Sequence, residues 1–131
     1  MNTKRLKPLL FGIGLLVVSG TTIAHHGTNI SYDQTTTVTL TGVVTEFRLA
    51  NPHSQLYFDV TDEAGTLVHW AGELNSPGIL RRIGWTPDVM EPGDEVTLSL
   101  HPSKAGTPVG VVERDEPMIV NGAQLLGTGD Q

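Results

Sequence analysis

Two short runs of alternating residues, 55–61 and 66–74, flank the tripeptide Glu63-Ala64-Gly65. In the first run Leu56, Phe58 and Val60 take every second position, and in the second Val68, Trp70 and Leu74 keep the same period. A period of two marks a strand with one buried face. The loop between the runs then decides which residues meet. A three-residue loop, with Gly65 at its left-handed position, sets Asp62 opposite Thr66, Val60 opposite Val68, Phe58 opposite Trp70 and Leu56 opposite Gly72. All the apolar residues then share one face. A loop one residue shorter or longer sets Phe58 beside His69 and mixes the faces, because a one-residue slip turns every side chain over. The same register puts Asp59 opposite His69 and Gln55 opposite Glu73 on the other face, beside Tyr57.

The flanking sequence supplies partners for this hairpin. Residues 38–49 form a first strand in which Val38 and Leu40 alternate with Thr39 and Thr41 until Gly42 interrupts and Val43-Val44 breaks the pattern. A glycine inside a strand marks a bulge or bend, which lets one strand serve both sheets of a small barrel. Asn51-Pro52 ends that strand. Ser76 as N-cap and Pro77 as first helical residue open a helix of about two turns, with Ile79, Leu80 and Ile83 as its apolar stripe and Gly84 as its C-terminal cap. Trp85 is expected to plug one end of the core. Glu91-Pro92-Gly93-Asp94 is a turn. Residues 95–101, with Val96, Leu98 and Leu100 inward, are a fourth strand, 109–114 a fifth, and 118–126 a small hairpin about Asn121-Gly122. Three strands, a short helix and two strands is the order of the OB-fold, whose ligands commonly meet the outer face of strands two and three and the loops one–two and four–five. The expected fold is all-β: a small OB-like five-stranded Greek-key barrel with one short helix between strands three and four. A small β-sandwich has too few strands to draw on here.

Ahead of the barrel lies a different kind of segment. Lys4, Arg5 and Lys7 precede an apolar run at residues 9–18, and Thr22-Ile23-Ala24 offers small residues around a cleavage point. Residues 1–24 are therefore expected to be a secretory signal peptide, and the working chain to be periplasmic or secreted from His25 on. The apolar run is shorter than the roughly 20 residues that span a bilayer, so membrane contact is expected only before cleavage. Residues 25–37 are expected to be a flexible N-terminal segment, 38–126 the barrel with its hairpin, and 127–131 a tail.

Beyond residue 24 the chain carries five basic residues against all fourteen acidic ones, a balance of −9. Such a field repels polyanions, so nucleic acid is not expected as a partner despite the OB-like order. There is no cysteine, which excludes disulfides, thiolate metal sites and redox thiols.

Several stretches together resemble a known family. Ala24-His25-His26, Asn51-Pro52-His53, His69-Trp70 with Glu73, Leu80-Arg81-Arg82-Ile83-Gly84-Trp85 and Glu91-Pro92-Gly93-Asp94-Glu95-Val96 are similar to small exported bacterial proteins grouped as domain of unknown function 6152. The Asn-Pro-His and Arg-Arg-x-Gly-Trp stretches are the most specific of these. The resemblance implies export and a single domain, and it implies no mechanism.

The candidate functional residues fall into two sets. Tyr57, Asp59, His69 and Glu73 share the outer face of strands two and three, and are the expected ligand-binding set. Asp59 and His69, directly opposed, have Cβ atoms about 5 Å apart, and a carboxylate there holds the imidazole ring. The second set is the candidate metal ligands His25, His26, His53 and His101. Without thiolates, any transition metal must take nitrogen and oxygen donors, which favours copper. A chain starting at His25 offers an α-amine and an imidazole to one ion, with His26, His53 or His101 to complete the set. His53, in the loop between strands one and two, and His101, at the start of the four–five loop, are expected to approach each other. No phosphate loop, dinucleotide fingerprint or zinc-protease helix is present. The expected function is thus an exported, non-enzymatic binding or accessory module for an unidentified small ligand. The alternatives are a copper-handling protein and an envelope protein–protein interaction module.

Overall fold

The computed structural model describes residues 31–125. The expected signal peptide, His25, His26 and the tail lie outside the described residues. In chain order the elements are β1 (Val38–Arg48), β2 (Gln55–Thr61), β3 (Leu67–Glu73), α1 (Pro77–Arg82), β4 (Glu95–Pro102), β5 (Val109–Val112), β6 (Met118–Val120) and β7 (Ala123–Leu125). The strand order is β1-β2-β3-β5-β4-β6-β7, and β1 pairs again with β4. That second pairing closes β1, β2, β3, β5 and β4 into a five-stranded all-β barrel. The β3–β5 contact is parallel and every other named pair is antiparallel.

The β2–β3 hairpin has the register its loop dictates. Phe58 faces Trp70, Leu56 faces Gly72, Asp59 faces His69 and Gln55 faces Glu73. Gly65, at φ 81°, takes the left-handed position, and Asp62 closes the loop through its Oδ1, which accepts from the backbone N–H groups of Ala64 and Thr66 at 2.9 and 2.8 Å.

β1 serves both sides of the barrel. Its first half, Val38 to Val43, pairs with β4, and from Val43 onward it pairs with β2. The change of partner falls at Gly42, where a Cβ would sit 2.4 Å from the carbonyl oxygen of Asp59 and 3.0 Å from Phe58 Cδ2. Only hydrogen fits in that corner. The bulge itself comes slightly later, between Val44 and Glu46, leaving Thr45 as the extra residue. A cis Asn51-Pro52 bond lies in the turn that follows.

The core fills the interior of this closed sheet. Leu56, Phe58, Val96, Leu98 and Leu100 are buried from the strands, and Leu80 and Trp85 enter from the helix and its exit. Trp85 packs edge-on against Phe47, with ring centroids 6.0 Å apart, and closes that end of the barrel. The helix follows its expected bounds with Pro77 in its first turn, although Ser76 makes no side-chain capping bond. The Asn121-Gly122 hairpin forms as β6 and β7, with Val120 opposite Ala123.

Candidate functional site

The outer face of β2 and β3 carries an open cleft of about 560 Å³, lined chiefly by Glu46, Tyr57, Asp59, His69, Trp70 and Val109. Tyr57, Asp59 and His69 reach it because strand alternation turns them away from Phe58 and Leu56. The bulge brings Thr45 and Glu46 to its rim, Glu46 standing opposite Tyr57. Bulges commonly re-aim side chains in this way.

Within the cleft, His69 Nδ1 lies 2.5 Å from Asp59 Oδ1. The ionised carboxylate can only accept, so the ring's N–H is assigned to Nδ1. The ring's other nitrogen, Nε2, belongs to a side chain that is 79% exposed. A carboxylate that fixes one imidazole nitrogen in this way prepares the other as an acceptor, a base or a ligand. Across the cleft, Arg48 makes a two-pronged ion pair with Glu46, at 2.5 and 2.9 Å, and its guanidinium stands 5.2 Å from the centre of the Tyr57 ring. The pairing holds the Arg48 pKa above its ordinary value, first through the hydrogen bond to Glu46 and then through that residue's charge.

Glu73 belongs to a different centre. Its Oε1 is paired with His53 Nδ1, and its Oε2 accepts from the Tyr32 hydroxyl at 3.0 Å. Three segments distant in sequence meet at this carboxylate: the residues before β1, the β1–β2 loop and the end of β3. Burial, and then the charge and hydrogen bond of Glu73, push the Tyr32 phenol up to about 12. Residues 31–36 are also tied by backbone. Tyr32 forms a bridge with Ser103, the Asp33 N–H donates to the Pro102 carbonyl at 2.9 Å, and the Lys104 N–H donates to the Ser31 carbonyl at 3.0 Å. The Asp33 carboxylate accepts from the Thr35 and Thr36 hydroxyls, at 2.6 and 2.7 Å, and these bonds take its pKa down to about 2.

His101 lies on β4 opposite Val111, the residue that also faces Glu73 across the β3–β5 pair. Its Nε2 is 2.6 Å from Glu113 Oε2 and its Nδ1 is 2.8 Å from the Thr36 carbonyl. Each ring nitrogen faces an acceptor oxygen of the protein. His53 and His101 are held on separate carboxylates. Among the described residues no group of three or more His, Cys, Asp or Glu side chains is placed to hold a metal ion. His25 and His26 lie outside the described residues.

Three of the four outer-face residues chosen from sequence, Tyr57, Asp59 and His69, thus line one cleft, and Glu73 serves the neighbouring centre instead. Sequence reasoning passed over Tyr32 and Glu113. An aromatic residue in an otherwise polar stretch was the one available sign for Tyr32. Glu113, one residue past the end of β5, carried no sign at all.

The fold and these centres define a small β-barrel domain with an open, carboxylate-rich outer cleft. Its family follows from comparison: the chain belongs to a family described as Family of unknown function (DUF6152), which matches residues 13–113. No curated protein and no solved structure matches the chain.

Proposed function

We propose that this protein is an exported, non-enzymatic binding module that holds its ligand in the cleft on the outer face of β2 and β3. One observation carries the reading. An aromatic ring, a carboxylate-oriented imidazole, a second acid and apolar walls converge on a single open concavity. A few placed polar groups against aromatic and apolar walls are the ordinary make-up of a ligand site. Asp59, with the exposed imidazole it holds, suits a ligand that is cationic or donates hydrogen bonds. A ligand-observed NMR screen on the wild-type protein and on a Tyr57→Ala/His69→Ala double variant tests this. Hits lost in the folded variant support the cleft, and hits retained in it remove the basis of the proposal.

A second reading, copper handling through the α-amine and ring of His25, draws on the Tyr32–Glu73–His53 centre. That centre anchors the N-terminal side of the described chain beside an imidazole, and Tyr32 is seven positions from His25. A carboxylate-backed imidazole is a common metal-ligand arrangement. Copper(II) titration followed by EPR decides it, with one sample carrying an extra glycine ahead of His25. Tight one-to-one binding that the glycine weakens supports the reading, and equal binding in both samples refutes it.

A further inference from the structure

β3 is paired along its whole length on one side and along only half of it on the other. On the β2 side the register runs without interruption from Gln55↔Glu73 to Thr61↔Leu67. On the far side β5 meets it only at Ala71, Gly72 and Glu73. The Ala71 N–H donates to the Pro108 carbonyl at 3.0 Å, which fixes the parity of that edge. Backbone groups alternate between the two sides of a strand, so Leu67 and His69 turn their N–H and C=O groups the same way as Ala71. Among the described residues no strand takes these groups. Leu67 is itself 54% exposed.

Natural sheets blunt such edges with lysine, proline or a bulge. The Leu67-Val68-His69-Trp70 stretch has no lysine or proline, and its pairing with β2 has no bulge. The hairpin that carries this edge is acidic. From residue 49 to residue 80 there is no lysine or arginine, while Asp59, Asp62, Glu63 and Glu73 all fall in that span. A cation already rests against the Tyr57 ring, supplied by the chain's own Arg48.

We propose that the first half of β3 is a strand-addition edge for an extended, cationic segment of a partner protein. The segment's backbone pairs with Leu67 and His69, and its basic side chains lie toward Asp59, which stands opposite His69, and the Asp62-Glu63 turn. Main-chain bonds supply affinity in this mode of recognition, and alternate side chains supply selectivity. A second copy of this chain is a poor occupant, because its own β3 edge brings the same acidic residues and no lysine or arginine between residues 49 and 80. The proposal deepens the cleft reading and rests on it for the side-chain contacts only; the backbone edge stands apart from it.

The test titrates the full processed chain with an alternating Val–Lys heptapeptide, observed by amide chemical shifts and calorimetry. Two control peptides accompany it: one with glutamate in place of lysine, and one N-methylated at alternate residues so that one edge cannot pair. The Lys peptide is expected to bind, with the largest shifts at Leu67 and His69. The Glu and N-methylated peptides, and the Leu67→Lys variant of the protein, should each weaken binding at least about tenfold. Equal binding of the N-methylated peptide, with shifts confined to Tyr57 and Asp59, overturns strand addition and leaves the cleft reading intact. Absence of binding by any peptide overturns the proposal, and the small-ligand screen then judges the cleft independently. Concentration-dependent dimers, or a tenfold gain in affinity on deleting residues 25–30, would assign the edge to a second copy or to the chain's own N-terminal segment and also overturn it.

Discussion

Replacing Gly42 by alanine should damage the barrel more than any comparable single-methyl change on its surface. The added Cβ would lie 2.4 Å from the Asp59 carbonyl oxygen and 3.0 Å from Phe58 Cδ2. The nearer atom is backbone, held in the β1–β2 ladder where Val43 pairs with Asp59, so no side-chain rotation relieves the contact. A carbon–oxygen contact of this kind ordinarily settles near ~3.3 Å, so β1 and β2 must part by roughly 0.9 Å at the corner where β1 changes partners. Forcing a methyl into a packed site costs about 1–3 kcal/mol, and an obstruction by backbone belongs at the upper end, about 2–3 kcal/mol. At about 4–8 °C per kcal/mol for a domain of this size, the melting temperature should fall by roughly 8–24 °C. Gly78, in α1, lies in open space: a Cβ added there would meet no atom within 4 Å, and Gly78→Ala should raise stability by about 0.5–1 kcal/mol. Thermal and urea unfolding followed by circular dichroism measure both. Because the displaced carbonyl is that of Asp59, the His69 ring resonances of folded Gly42→Ala should shift as well. A fall of less than about 3 °C for Gly42→Ala, or no difference between the two variants, would refute the claim that this corner admits only hydrogen.

Other consequences can be checked on the same protein. The neutral form of Tyr32 is the one the fold favours, since its pKa rises from 10.0 to about 12; its contribution to stability is therefore complete below about pH 10 and lost as the pH climbs through about 12. The ultraviolet absorbance of tyrosinate, followed against pH, should show a late phase that Tyr32→Phe abolishes and Tyr57→Phe preserves. Ser54 is fully buried and its Oγ has no hydrogen-bond partner among the described residues, so Ser54→Ala should stabilise by about 0.5–1.5 kcal/mol in urea unfolding; a loss of stability would mean that the hydroxyl is satisfied by a buried water. His69 projects from the sheet with its side chain 79% exposed, so His69→Ala should move stability by no more than about 0.5 kcal/mol, and a larger loss would give the Asp59–His69 pair a structural role.

The hairpin at the centre of the molecule was legible because two constraints had to agree. Strand alternation sorted Leu56, Phe58 and Val60 from Tyr57 and Asp59, and the loop length then had only one value that kept the sorting on both strands. The pairs Phe58↔Trp70 and Asp59↔His69 follow from that agreement. The corner in β1 was half legible. Gly42 marked the place where the backbones approach, but the extra residue is Thr45, because the register slip occurs after β1 has left β4 and must align with β2. Local pattern carries no information about which of several neighbouring residues absorbs such a slip.

The Tyr32–Glu73–His53 centre was not legible for a related reason. Glu73 was correctly placed on the outer face by its alternation, yet its partners come from a segment 41 residues before it and from a loop. Neither has a periodicity that specifies where it docks. The fold also gives His53 and His101 each its own carboxylate, Glu73 and Glu113, and neither pairing carries a local sequence signal. This division has a consequence for the outer cleft. With Glu73 committed to Tyr32 and His53, and Glu113 to His101, Asp59–His69 is, among the described residues, the carboxylate–imidazole pair that stands in the cleft with its imidazole largely exposed. A ligand arriving at this face therefore meets one oriented imidazole beside an aromatic ring and the open half of β3, and selectivity must come from those few groups together with the acidic surroundings.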